Sequence, residues 1–236
     1  EASVRRAMAH AIDRHELPRV LNMWEDLPVV DVPFTEPQYW KGELPEPLPY
    51  DPGLARRLLE EAGWRDENGD GVRERGGEEF RFPMIVAERY QPVAVYVQHK
   101  LGKVGIQMEI TTLESSTVWE RTYKARDFEV ALYYVWISPD DTDMGLDVMM
   151  GENSAIGFHN PQATALVNAA LEATDLESLG AIYRELAPIV QVEQPFTFLT
   201  FGVETYVAHR RIKGLSSPFR ANPLRNARHL WIEDEK

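Results

Sequence analysis

One short acidic segment has residue types and a spacing that suit a bound calcium ion. An oxygen-bearing side chain stands at every second position and a glycine follows: Asp66, Asn68, Asp70 and Gly71. Such a loop usually has a glutamate at its twelfth position, which supplies two of the about six or seven oxygens that calcium needs. The twelfth residue here is Gly77, and Glu74 and Glu78 are out of register. Because Asn, Asp and Gly also favour tight turns, the pattern predicts a turn, with calcium as the weaker alternative.

Four aspartates form a second acidic group: Asp140, Asp141, Asp143 and Asp147. A glycosidase needs two carboxyl groups that face each other about 5–10 Å apart across a cleft. Residues this close together on a single loop seldom face each other. A glycan or peptide hydrolase that uses the Asp140–Asp147 loop is therefore kept as the alternative function, beside the simpler interpretation of a solvated acidic loop.

The other residues that often carry chemistry form no recognisable site. The histidines are scattered along the chain: His10, His15, His99, His159, His209 and His229. His10 and His15 are about 140° apart around a helix and do not converge. The sequence has no HExxH, no glycine-rich phosphate loop, no GxSxG elbow and no cysteine. We therefore predict no cofactor, no catalytic metal and no catalytic nucleophile.

The hydrophobic pattern predicts alternating helices and strands, which indicates a layered α/β domain. Predicted helices run from a Ser3 cap to about Leu17, over 52–62 behind an Asp51 cap, from Pro92 to about Gly105, from a Thr117–Glu120 capping box, and over 161–173 and 177–192. Predicted strands lie at 80–87, 106–111, 128–135 and 196–201. The strand at 128–135 is apolar almost throughout, which favours a central place in the sheet. We expect residues 138–160 and the last 35 residues to be irregular.

Size and charge narrow the class of protein. The chain has 236 residues, enough for one large domain or two small ones. Its net charge of -13 argues against nucleic acid and against an anionic membrane surface, because both need clustered Lys and Arg. No apolar run is long enough for a membrane-spanning helix. The chain opens on Glu1, inside a predicted helix, and we interpret it as a piece of a longer protein.

Five segments resemble, in the same order, the signature blocks of one family. The family is that of the extracellular solute-binding proteins of ABC importers, family 5, of the oligopeptide and dipeptide type. The matching segments are VRRAMAHAIDR at 4–14, YDPGLARRLLEEAGWRDENGDGVRE at 50–74, KLGKVGIQMEI at 100–110, DFEVALYYVW at 127–136 and GFHNPQATALVNAALEATDLESLGAIYRELAPIV at 157–190. Because the blocks cover nearly the whole chain, it resembles the C-terminal lobe of such a protein.

The resemblance implies a fold and a function. The implied fold is an α/β lobe of the type II periplasmic-binding-protein class, with a mixed sheet flanked by helices. Residues 1–194 would form the second ligand-binding lobe, and residues 195–236 a return segment that packs toward an N-terminal lobe missing from this chain. The implied function is the capture of peptides or similar solutes in the periplasm or outside the cell. The parent protein, associated with the membrane, would deliver them to an ABC permease without catalysis.

The resemblance also indicates candidate ligand-binding residues. Peptide-binding relatives hold the ligand's α-amine with an acidic residue in the loop after the 128–135 strand, where a buried carboxylate makes a strong charge-assisted bond. Aligned without a gap, that position is Ser138, and the nearest acids are Asp140 and Asp141. Trp136 offers a flat apolar face and one donor, which suits peptide backbones and sugar rings alike.

Two further tryptophans are weaker candidates. Trp24 and Trp40 lie in or beside a Pro-rich segment at 27–49. They would line the cleft or, more simply, pack beneath this segment. The solute stays open: peptides come first, and the family also takes nickel complexes, haem, opines and oligosaccharides.

Overall fold

The computed structural model describes residues 1–21, 29–32, 45–134, 142–152, 154–200, 209–214 and 229–233, with backbone alone at 142–144. Its α-helices are α1 (Ala2–Ala11), α2 (Leu17–Val20), α3 (Pro52–Glu61), α4 (Gln91–Gly102), α5 (Ser115–Trp119), α6 (Thr142–Met150), α7 (Pro161–Glu172) and α8 (Leu176–Glu193). Its strands are β1 (Glu74–Arg75), β2 (Glu78–Glu79), β3 (Arg81–Ala87), β4 (Gln107–Leu113), β5 (Val130–Leu132), β6 (Ile212–Lys213) and β7 (Trp231–Ile232). Single 3-10 turns lie at Arg14–Glu16 and Glu88–Tyr90, and a π-helical turn spans Glu120–Ala125.

Helix α3 begins and ends where its sequence predicts. The Asp51 carboxylate accepts a hydrogen bond from the Leu54 amide at 2.8 Å, which satisfies a free donor of the first turn. Gly63 has a φ of +87°, and the amide of Trp64 returns to the carbonyl of Leu59 at 2.9 Å. This is the Schellman arrangement, which satisfies carbonyls of the last turn. Leu59 is fully buried, so the helix is fixed by packing as well as by its caps.

The central sheet is parallel and places β3 between β4 and β5. Helix α4 connects β3 to β4, as expected for a parallel pair. The strand predicted at 128–135 is shorter than expected: β5 spans Val130–Leu132, and within the described residues it pairs with β3 alone, at the edge of this sheet instead of its predicted centre. Its flanking apolar residues Phe128 and Tyr133 instead pack toward Val118 of α5. Among the described residues, the hydrophobic side chains of this segment are covered by a helix and not by a second strand.

Two hydrophobic clusters form the core. The first joins α1, α3 and α4 to the sheet, and its largest fully buried members are Leu17, Leu59, Leu101, Ile106 and Met108. The second joins α6, α7 and α8, and its buried members include Val32, Leu146, Met150, Tyr183 and Leu186. Helix α1 packs against both α3 and α8, so it connects the two clusters.

The first helix is shorter than predicted. It ends at Ala11 instead of Leu17, because Ile12 is extended and the Asp13 carboxylate caps a new turn by accepting from the His15 amide. Ser3 lies within the helix and is not its cap, and Pro18 lies in the first turn of α2. Proline is tolerated in the first turn of a helix, so Pro18 begins α2 there.

Four other local predictions were wrong. Thr117 lies inside α5 and forms no capping box, since the helix starts after Glu114. The predicted loop at 138–160 contains α6, whose Leu146, Met149 and Met150 are buried in the second cluster. The described part of the strand predicted at 196–201, residues 196–200, has no strand pairing, and its Phe196 and Phe198 pack on the second cluster. The C-terminal part contains an antiparallel pair, β6 with β7.

A buried ion pair connects segments that are distant in the sequence. Arg14 pairs with Asp31, and both side chains are almost fully buried. The same guanidinium donates to the carbonyls of Leu48 at 2.7 Å, Phe198 at 3.2 Å and Val30 at 3.3 Å. Asp31 also accepts from the amide of Leu48. These contacts fix residues 29–32, 45–49 and 195–200 to the end of α1.

We expect Asp31→Ala to lower the free energy of unfolding by about 3–5 kcal/mol, because it leaves a buried guanidinium without its counter-ion. The matched control is Glu193→Ala, which removes the partly exposed partner of Arg5 at 3.4 Å. It should cost less than about 1 kcal/mol, since solvent screens such pairs. Urea unfolding followed by circular dichroism measures both. Equal losses would contradict the role given to Arg14.

Candidate functional site

The carboxyl ends of the three parallel strands meet at one edge of the sheet. Strands β3, β4 and β5 end at Ala87, Leu113 and Leu132, and we call this edge the carboxyl edge. In open α/β sheets, ligands bind in the crevice outside the carboxyl ends of the strands. The segments that leave this edge are the Glu88–Tyr90 turn, helix α5 and residues 133–134. The carboxyl edge is therefore the candidate ligand-binding site.

Aromatic side chains are concentrated beside this edge. We name Tyr90, Trp119, Tyr123 and Tyr133 the aromatic cluster. The Trp119 and Tyr123 rings are stacked with centroids 6.1 Å apart, as their shared helix face predicts, and the Tyr123 and Tyr133 centroids are 5.2 Å apart. Trp119 is 43% exposed. An exposed ring supported by partly buried rings gives a rigid apolar surface for stacking.

Two cations flank the aromatic cluster. The Arg89 guanidinium carbon lies 4.7 Å from the Tyr90 ring centroid, and the Lys124 ammonium lies 5.0 Å from the Trp119 ring. Both distances are in the range of cation–π contacts. The site thus offers flat apolar faces with positive charge beside them, an arrangement that can stack against a ligand and attract a carboxylate.

Two phenols of the cluster, those of Tyr123 and Tyr133, have a raised pKa. Burial, with a smaller contribution from Tyr133, raises the pKa of Tyr123 to about 12. Burial also raises the pKa of Tyr133. Low-dielectric surroundings disfavour the phenolate, so both hydroxyl groups keep their protons and can act as hydrogen-bond donors.

The residues predicted from sequence to bind ligand lie outside the described residues. They are Trp24, Trp40, Trp136, Ser138, Asp140 and Asp141. Trp136, Ser138, Asp140 and Asp141 belong to the segment of the sequence between α6 and Tyr134, the residue that lies at the carboxyl edge. Sequence analysis did not assign Trp119, Tyr123 or Tyr133 to the site. Their positions at or near the carboxyl ends of strands would have indicated the site. That indication becomes usable only when the pairing of β3 with β5 is known.

The four aspartates of the hydrolase alternative lie only partly within the described residues. Asp140 and Asp141 lie outside the described residues, and the side chain of Asp143 is not described. Asp147 lies on α6, in a region predicted as a loop. The comparisons reported below give the hydrolase no support.

The segment 66–71 forms the predicted turn. Asp66 accepts from the amides of Gly69 and Gly71 at 2.8 and 3.1 Å, and Asp70 accepts from the Val72 amide at 2.8 Å. Carboxylate oxygens of Asp66, Asp70 and Glu74 lie within 4.8 Å of one another. Among the described residues, this is the one group of three or more side chains whose geometry could hold a metal ion. The turn prediction is therefore confirmed. Glu74, which is out of register in the sequence pattern, lies close enough to Asp66 and Asp70 to be a calcium ligand with them.

Solved structures define the class of protein to which this fold belongs. The oligopeptide-binding protein AppA of Bacillus subtilis, in complex with a nonapeptide, matches with a TM-score of 0.77 and 22% identity, over 99% of this chain and 48% of that chain. NikA from Brucella suis, in complex with Fe(III)-EDTA, matches with a TM-score of 0.72 and 26% identity, over 85% and 42% of the two chains. The fold is that of a lobe of the type II periplasmic binding proteins, as predicted.

The sequence defines the family. The profile of bacterial extracellular solute-binding proteins, family 5 Middle, matches residues 1–156, and the chain belongs to this family. It is 28% identical to AppA of Bacillus subtilis over 98% of its own length and 44% of AppA. It is 26% identical to the glutathione-binding protein GsiB of Salmonella paratyphi A, over 82% of this chain and 38% of GsiB. The chain thus spans less than half the length of these relatives, which are binding proteins and not enzymes.

No helix in the described ranges has both the length and the apolar character that crossing a membrane requires.

The raised pKa of Tyr123 predicts a loss of stability in alkali. The folded-state pKa of about 12 lies above the ordinary tyrosine value of 10.0, so the contribution of Tyr123 to stability is complete below pH 10 and is lost as pH rises toward 12. We expect Tyr123→Phe, which cannot ionise, to lose less stability than the wild type across this range. Urea unfolding at a series of pH values measures the difference. An identical pH dependence in the two proteins would contradict the burial of this phenol.

Proposed function

We propose that the chain is a ligand-binding lobe of a substrate-binding protein that captures peptides or similar solutes for an ABC importer. The observation that carries the proposal is an aromatic carboxyl edge, flanked by Arg89 and Lys124, on a lobe of the family 5 fold. Binding needs such a surface and no activated acid, base or nucleophile. We accordingly propose that the chain is not an enzyme.

The proposed cleft needs a second lobe. We propose that residues 1–194 form one lobe and residues 195–236 a return segment toward an N-terminal lobe, since the chain covers 44% of AppA. The carboxyl edge would form one wall of the cleft. Closure of the second lobe over the solute would remove both from water and favour the closed state.

The proposed solute is a peptide or a related molecule that carries both a negative and a positive charge. The structures and names of the matched relatives involve a nonapeptide, Fe(III)-EDTA and glutathione, and all three ligands contain carboxylates. Arg89 and Lys124 are placed beside the aromatic cluster to attract such a group. Asp140 or Asp141, in the segment after Tyr134, would complement an α-amine. Trp136 and Ser138 would line the same wall, and Trp24 and Trp40 remain weaker candidates.

The proposed location follows from the family. Extracellular solute-binding proteins act in the periplasm or outside the cell, and we propose the same for this protein, with its longer parent held near the membrane and its permease. Reaction with chromogenic glycosides tests the hydrolase alternative. Turnover at the acidic segment would overturn the binding proposal.

We expect the isolated chain to bind peptides only weakly, with a Kd in the millimolar range or no measurable heat, because a one-sided cleft leaves most of the ligand in water. Isothermal titration calorimetry with defined peptides measures this. A Kd of about 1 μM or tighter, equivalent to about -8 kcal/mol, would show that no second lobe is needed.

In a protein that contains both lobes, we expect Trp119→Ala to weaken solute binding by about tenfold or more, as for a buried aromatic anchor. Trp119→Phe is the matched control, because it keeps a flat apolar face and should retain most of the affinity. Calorimetry with the co-purified solute, identified by mass spectrometry, provides the readout. Unchanged affinity in Trp119→Ala would remove the aromatic cluster from the site.

A further inference from the structure

Three carboxylates lie close together in the 66–74 segment, and no cationic side chain among the described residues pairs with them. Asp66 and Asp70 are exposed and Glu74 is buried, and one oxygen of each lies within 4.8 Å of the others. No ion pair involves any of the three within the described part of the chain. Like charges at this separation repel one another, and a divalent cation between them would reverse the sign of the interaction.

Glu74 provides an independent sign of a missing ligand. The residue is 93% buried, being 7% exposed, and its Oε2 accepts from the Glu67 amide at 2.9 Å. Its Oε1 is buried and has no hydrogen-bond partner among the described residues. A buried carboxylate oxygen without a partner is costly, since it has lost its water and gained nothing in return.

The neighbouring arginines do not satisfy this oxygen. Arg73 donates to the carbonyls of Val104 and Trp64 and pairs with Glu60 at 3.2 Å. Arg75 pairs with Glu1 at 2.7 Å. Both guanidinium groups are therefore engaged elsewhere, although they flank Glu74 in the sequence. The carboxylate is held in the acidic group by the pairing of Glu74 with Arg65, whose amides and carbonyls exchange hydrogen bonds.

We propose that the 66–74 segment binds a calcium ion through oxygens of Asp66, Asn68, Asp70 and Glu74 and the main-chain carbonyl of Val72. These residues occupy positions one, three, five, nine and seven of a calcium loop, and waters complete the shell. The Asn68 Oδ1 atom already accepts from the Asp70 amide at 2.8 Å and keeps a second lone pair for the ion. Glu74 replaces the glutamate that the loop lacks at its twelfth position, Gly77.

The ligand set favours calcium at moderate affinity. All the donors are oxygens, which suit hard cations, and the mixed loop and strand geometry suits the flexible coordination of calcium better than the strict octahedron of magnesium. Three carboxylates and no bidentate twelfth ligand place the expected Kd at about 0.1–1 mM, the range of extracellular calcium modules. The bound ion would fasten the loop after α3 to strand β1.

The test uses the whole 236-residue chain, freed of metal by a chelator, with calcium chloride as the probe. Calorimetric titration should give one saturable site. Calcium at about ten times its Kd should raise the unfolding temperature by a few degrees, and chelator should reverse the rise. Absence of a saturable site, or an equal rise with magnesium, would overturn the proposal.

Two variants and a matched control locate the site. Asp70→Asn changes an exposed ligand and should weaken calcium binding by about tenfold or more while leaving the metal-free unfolding temperature nearly unchanged, because each lost ligand charge reduces affinity. Glu74→Gln should have the same effect on binding. Glu67→Gln removes an equal charge from the same loop, outside the ligand set, and should bind as the wild type does. Equal binding by Asp70→Asn and Glu67→Gln would overturn the assignment.

Discussion

The Arg14–Asp31 pair is the interaction on which the arrangement of this lobe depends. Its guanidinium lies in the turn that follows α1 and donates to carbonyls from segments far apart in the sequence. A buried ion pair of this kind adds little net stability compared with a well-packed apolar pair of similar volume. Removing one partner, however, is strongly destabilising, because it leaves the other charge buried and unpaired. Its structural effect is to hold the irregular segments around residues 31, 48 and 198 at fixed positions relative to α1.

The parallel sheet presents one edge for binding. Strand β3 aligns β4 and β5 so that their carboxyl ends meet, and the aromatic cluster fills the space beside β5. Rings packed against one another lose little further freedom when a ligand stacks on them, which favours binding. Arg89 and Lys124 add charge at the margin, where it orients a ligand more than it tightens the complex. The same lobe thus supplies shape, apolar area and polarity without any catalytic group.

Local sequence signals predicted those parts of the fold that local chemistry determines. The Asp51 cap, the helix predicted over 52–62 and the strand predicted at 106–111 are each determined within a few residues, and the structure confirms them. Long-range features were missed. Strand β5 is predicted at the centre of the sheet but lies at the edge of its described part. Its sequence does not distinguish burial by a neighbouring strand from burial by Val118 of α5.

The candidate sites show the same limit. The carboxyl edge needs the pairing of three strands before Trp119 and Tyr133 come together, and no short motif contains both residues. For the acidic loop, spacing identified Asp66 and Asp70, but Glu74 was set aside because it is out of register. Its burial, together with its unpaired oxygen, depends on the tertiary packing around β1 and α3.

The most direct measurement is a crystal structure of the longer protein, with both lobes, bound to the solute that co-purifies with it. The account predicts solute density against the carboxyl edge, in contact with Trp119 and the segment after Tyr134, and enclosed on its far side by the other lobe. Solute held in a pocket closed entirely by residues 1–236, or bound away from the carboxyl edge, would contradict it.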